Sequence, residues 1–137
     1  MRRWVSRAFA GLLLALCVGP AARAMEPRGT VVIGAITCFR IRVPDRGMSV
    51  QQRVDFIQDI APKFLGGDPV QFSIRPVGEE QHIDINGQFL VAVTPADARA
   101  TGYKSAAALA PIWRVALERA FVESAARPVP PAGLPVH

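Results

Sequence analysis

Apolar and polar residues alternate from Thr30 to Val43, the two-residue period of an extended chain with one face buried. Val31, Ile33, Phe39, Ile41 and Val43 fall on one parity, and Cys38, Arg40 and Arg42 on the other. Gly34 within this run predicts a bulge, or a turn that divides it into two short strands. Pro44-Asp45-Arg46-Gly47 then supplies turn chemistry. From Ser49 onward the period becomes helical: Val50, Val54, Ile57, Ala61 and Phe64 recur every three or four residues as one apolar stripe. Ser49 with Gln52 is a capping box, so a helix is expected from Val50 to about Leu65. Pro62 has no backbone donor and clashes with the preceding turn, which predicts a bend or an early stop. Gly66-Gly67 closes the element.

Val70, Phe72 and Ile74 alternate with Gln71, Ser73 and Arg75, a further strand. His82–Ile85 and Gln88–Val93 flank Asn86-Gly87. That dipeptide predicts a hairpin, because both central residues of the tight turn take positive φ. Thr94-Pro95-Ala96-Asp97 combines a capping hydroxyl, a proline at the first helical position and an acid in the first turn, opening a short helix that ends near Gly102. After Lys104-Ser105, the residues Leu109, Ile112, Trp113, Ala116, Leu117, Ala120 and Phe121 recur at helical spacing, with Trp113 as core anchor. Pro111 predicts a kink or a fresh start near Ala110. The order strand, helix, strand, hairpin, helix, helix specifies an α+β fold: a small two-layer sandwich with one antiparallel-rich sheet and helices on one face.

Composition changes this picture mainly at the ends. Residues 1–24 place Arg2, Arg3 and Arg7 before an uncharged run from Ala8 to Ala22 and finish on Ala22-Arg23-Ala24, the order of a cleavable signal peptide. The uncharged run is 15 residues, short of the roughly 20 that cross a bilayer core. Residues 25–126 are then a single domain. Residues 127–137, with four prolines, are expected to be a disordered tail. The implied location is periplasmic or secreted, with no membrane span after cleavage. The chain carries 16 Lys and Arg against 11 Asp and Glu, net +5, but four of the arginines lie in the signal. What is left is nearly neutral, with interspersed signs that offer no phosphate-binding face, so a nucleic-acid partner is excluded. Cys38 is the one cysteine beyond the signal, so no intrachain disulfide forms. It reads as a small apolar filler on a strand.

Candidate chemistry is sparse. Glu80, His82 and Asp84 share a strand parity and form a small cluster. Three ligands on one strand, with no cysteine or second histidine nearby, make a poor zinc site, and the expected state is a solvated outer face. Ser73, His82 and Asp84 compose a hydrolytic triad only on paper, since no motif places a nucleophile on a strained turn. Arg40, Arg42 and Arg75 suggest a small basic stripe. No catalytic residue, metal site or cofactor is assigned. The leading expectation is a non-enzymatic exported module of the cell envelope. It would act by protein or ligand contact through the outer hairpin face carrying His82, Asp84 and Gln88, with an envelope protein as partner. The alternative is a small periplasmic hydrolase or metal-binding protein using Glu80, His82 and Asp84, which requires those groups to converge in a pocket. A structural oligomer joined through an exposed sheet edge is a third reading.

Several segments carry a family likeness: Phe39-Arg40-Ile41, Ser49-Val50-Gln51-Gln52-Arg53 with Ile57, and Val70-Gln71-Phe72-Ser73-Ile74. They continue in Ile83-Asp84-Ile85-Asn86-Gly87-Gln88-Phe89-Leu90-Val91-Ala92-Val93-Thr94 with Asp97-Ala98, then Leu109-Ala110 and Trp113. Over Val32 to Phe121 the chain resembles the extracytoplasmic N-terminal domain of small-conductance mechanosensitive channels of the cyanobacterial type. The departures are Pro111 in the last helix and a proline-rich tail where the channels continue into membrane spans. The resemblance implies a fold and an extracytoplasmic location, and transfers no catalytic residue.

Overall fold

The computed structural model describes residues 28–127. The expected signal peptide, residues 1–24, and the tail from residue 128 onward lie outside the described residues. The alternating first run is divided at Gly34, whose φ of 64° makes the turn between β1 (Thr30–Ile33) and β2 (Ile36–Arg40). These strands pair antiparallel with a bulge: Val31 faces Phe39 and Val32 faces Thr37, leaving Cys38 as the extra residue.

Helix α1 (Val50–Ile60) starts on the expected capping box. Ser49 Oγ accepts from the Gln52 amide at 3.1 Å, and Gln52 Oε1 accepts from the Ser49 amide at 2.8 Å. Pro62 ends it early, the chain tightening into a 3-10 turn over Ala61–Phe64.

The second sheet has the order β3 (Phe72–Val77), β4 (Glu80–Ile85), β5 (Gln88–Val93), all antiparallel. Asn86 and Gly87, at φ 49° and 81°, form the expected turn between β4 and β5. A second hairpin, turning at Gly78-Glu79, joins β3 to β4. Pro76 sits within β3, which is possible because β3 is an edge strand and the missing donor leaves no gap inside the sheet. The α+β class and antiparallel pairing stand, but the strands form a two-stranded and a three-stranded sheet instead of one.

Helix α2 (Pro95–Thr101) begins on a capping box between Thr94 and Asp97 and ends at Gly102, whose φ of 81° is the left-handed conformation that glycine adopts without strain. Helix α3 (Ala106–Ala126) runs unbroken through Pro111, so no fresh start occurs near Ala110. Its buried face is Ala106, Leu109, Ala110, Trp113, Leu117, Ala120 and Phe121. Ile112, expected in that face, is 49% exposed.

One core cluster joins both sheets. Helix α3 packs against strands of each, and α1 packs against β1 and β5. Aromatic contacts pin α3 at two levels. Phe39 stacks on Trp113 with ring centres 4.3 Å apart, and Phe72 meets Phe121 edge-on at 5.3 Å. Among the described residues no helix is long and apolar enough to cross a membrane.

Candidate functional site

Directly opposed residues of an antiparallel pair point to the same face, so the ladder fixes what surrounds His82 and Asp84. Across β3, Ser73 faces Asp84, Arg75 faces His82 and Val77 faces Glu80. Across β5, Ala92 faces His82 and Phe89 faces Asp84. The inner face of the same strands carries Phe72, Ile74, Ile83, Ile85 and Val91 into the core. A bulge at Ile83/Asp84 adds one residue to β5, so that Leu90 and Val91 are both buried while Phe89 and Ala92 keep to the outer face.

His82 and Asp84 are brought together as expected, but they are not solvated. They are 9% and 6% exposed. The Phe89 ring lies 5.0 Å from the His82 ring, and Arg75 Nε donates to Asp84 at 3.2 Å. His82 Nε2 lies 3.1 Å from Glu80 Oε2, the oxygen that also accepts from Arg46. Arg46 reaches Glu80 from a tight turn in which its own φ is 48°, closed by backbone bonds between Asp45 and Met48 of 3.0 and 2.8 Å. Phe56 of α1 completes the patch, its ring centre 5.8 Å from that of Phe89. Gln88 pairs with Ile85 and so takes the other register, exposed at the turn and apart from His82 and Asp84. Phe89 and Phe56 stand in its place. The local signal for Phe89 was its position one residue after Gln88, which puts it opposite Asp84 once a two-residue turn is assumed. Phe56 had no such signal, because it reaches the patch from another element.

The acids of this face are engaged by arginines. Glu80 meets His82, while Asp84 turns to Arg75, and Ser73 stands across the ladder from an Asp84 already so engaged. Among the described residues no group of three His, Cys, Asp or Glu side chains is placed to hold a metal ion. The arrangement offers a patch of aromatic rings and guanidinium groups over paired charges. It does not offer a nucleophile aligned with a base.

The other candidates also find their places. Cys38 is half-buried, its thiol donates to the Ile36 carbonyl at 3.7 Å, and burial pushes it up to about 11. This agrees with an inert filler. Arg40 belongs to the first sheet and Arg75 to the second, so no continuous basic stripe forms. Arg28, Arg40 and Arg42 instead line a shallow cleft with Ser49 and Gln51. A separate apolar cleft of about 320 Å³ lies between Phe64, Val70, Phe72, Phe121 and Val122. Both are away from His82 and Asp84.

No curated protein and no solved structure matches the chain. Residues 30–124, from the first strand to the last turns of α3, match a family described as a domain of unknown function, DUF8459, and the chain belongs to that family.

Proposed function

We propose that this protein is an exported, non-enzymatic module of the cell envelope that acts by binding another envelope protein through the outer face of the β3–β4–β5 sheet. The observation that carries this reading is the Phe56–Phe89 pair. Each residue is 37% exposed, and they are set beside Arg46 and Arg75, whose side chains are 60% and 54% exposed. Aromatic and arginine side chains are the residue types that dominate protein–protein binding energy, and here they cover acids already neutralised by ion pairs. The leading basic and apolar segment supports export, and the likeness to the extracytoplasmic domain of mechanosensitive channels supports an envelope setting.

Native electrophoresis of gently solubilised envelope tests the reading, comparing the protein with a Phe56→Ser/Phe89→Ser variant. The parent is expected in a discrete assembly larger than itself, and the variant is expected to run free at the same expression level. If both migrate alike, the surface is not the contact.

A further inference from the structure

Three arginines that the outer-face reading does not use gather at one end of the first sheet. Past the Thr30–Arg40 pair, the Ile41 amide donates to the Gly29 carbonyl at 2.8 Å, which sets Arg28 beside Arg42. Arg40 shares the parity of Arg42, and its Nε donates to the Arg28 carbonyl at 2.9 Å. The approach is close because residue 29 is glycine: a Cβ there would meet Val50 Cγ1 at 2.8 Å as well as the Ile41 carbonyl. Val50 opens α1, so the same contact brings the start of that helix to the arginines. Arg53 of α1 donates to the Val43 carbonyl at 2.7 Å and so fixes the chain one residue beyond Arg42. The result is a cleft of about 690 Å³ lined by the three arginines with Ser49, Val50 and Gln51.

No Asp or Glu lines this cleft, and among the described residues none of its three guanidinium groups is paired with an acid. Arg46, Arg75, Arg114 and Arg119, by contrast, each meet a carboxylate. Like charges side by side on neighbouring strands oppose the pairing, so the trio costs the fold stability that a bound anion would restore. The positive end of α1 adds to the same field, since its first turn holds no acid. We propose that this cleft binds a phosphate monoester group. Guanidinium forks take phosphate oxygens two at a time, and three of them suit a dianion better than a single carboxylate. A cleft of this volume is of the size that holds a small ligand, with room beside the phosphate for the group that carries it. The interspersed signs along the sequence predicted no such gathering, because only the β1–β2 hairpin brings Arg28 to Arg42. The cleft is apart from the sheet face proposed for the envelope partner, and neither reading needs the other.

Two measurements on the purified protein at fixed ionic strength test the proposal: calorimetric titration with inorganic phosphate, and flotation with vesicles containing phosphatidic acid. Binding is expected in at least one arm. Binding to phosphate but not to the vesicles marks a soluble ester as the source, and binding to the vesicles marks a membrane headgroup. Arg28→Gln and Arg42→Gln should each weaken it by about ten-fold, whereas Arg99→Gln, at an exposed position of α2, should bind like the parent. Because Arg42→Gln also relieves a repulsion, its melting temperature in chloride should be no lower than the parent's, which a residue needed only for folding would not allow. No binding in either arm, undiminished binding by Arg42→Gln, a lower melting temperature for that variant in chloride, or equal flotation with phosphatidylglycerol at matched surface charge overturns the proposal.

Discussion

Arg53 and Asp97, 44 positions apart, form a two-pronged buried ion pair with both contacts under 3 Å: Nη1 to Oδ1 at 2.9 Å and Nη2 to Oδ2 at 2.8 Å. The side chains are 5% and 1% exposed. The same guanidinium donates to the carbonyls of Val43 at 2.7 Å and Ala92 at 2.8 Å. Asp97 Oδ2 also accepts from the amide and hydroxyl of Thr94, both at 3.0 Å. One cation therefore ties α1 to the loop after β2, to β5 and to the cap of α2.

Truncating one partner leaves the other charged and buried, so Arg53→Met or Asp97→Ala should each lose about 3–5 kcal/mol in urea denaturation. The double replacement Arg53→Met/Asp97→Leu should cost less than the two single costs combined, because neither charge is then orphaned. Costs that simply add would show that the pair is not coupled.

Two glycines with nearly the same φ should respond differently to alanine. Gly87, at 81°, has open space where a Cβ would point, so Gly87→Ala should cost only the left-handed penalty, about 1–2 kcal/mol. A Cβ on Gly29, at 88°, would fall 1.9 Å from the Ile41 carbonyl oxygen, and the Gly29 carbonyl accepts the Ile41 amide at 2.8 Å. Gly29→Ala should therefore add a steric cost, for a total of roughly 3 kcal/mol or more. Thermal melts of the two variants check the order.

Cys38 should be slow to react and should leave a signature in alkali. The unfolded thiol ionises near its ordinary value of 9.0 and the folded one only near 11. Through that window the folded state holds a proton the unfolded state has lost, so the thiol's contribution to stability declines as pH rises. Denaturation between pH 8 and 11 should show a steeper fall for the parent than for Cys38→Ala. A maleimide should label the native protein at pH 8 much more slowly than the unfolded one. Equal slopes and equal labelling rates would refute the half-buried, protonated thiol.

The two arginines of the outer face should not be equivalent. Arg75 is the hydrogen-bonding partner of the buried Asp84 carboxylate, so Arg75→Gln should cost about 1–2 kcal/mol by leaving that charge poorly satisfied. Arg46 is mostly exposed, and Glu80 keeps His82 when it is removed. Arg46→Gln should therefore cost under about 1 kcal/mol. Chemical denaturation of the two variants separates them.

Features written in a few adjacent residues were legible in the sequence. The box of Ser49 with Gln52, the helix start at Thr94-Pro95-Ala96-Asp97, the Asn86-Gly87 turn and the Pro62 stop all follow from chemistry within four positions. Features set by distant pairing were not. The hairpin at Gly78-Glu79 was hidden by Pro76, which reads as a breaker until β3 is known to be an edge. Arg53 looks like an ordinary exposed helix residue, and only the packing of α1 against β5 reveals its partner. Burial of His82 and Asp84 depends on Phe89 and Arg75, whose reach is set by the register, and the same register separates Gln88 from them. Ile112 joined the core stripe on spacing alone, because α3 is apolar on two sides and periodicity cannot say which side meets the sheets.

The proposed role requires that the outer sheet face touch a partner. Photo-crosslinking groups placed singly at positions 56, 75, 77 and 89, with positions 51 and 99 as exposed positions outside that face, would read this directly in intact envelope. A single protein adduct of constant mass from the first four positions, and none from the other two, is the predicted result. An even spread of adducts, or none from position 89, would contradict it.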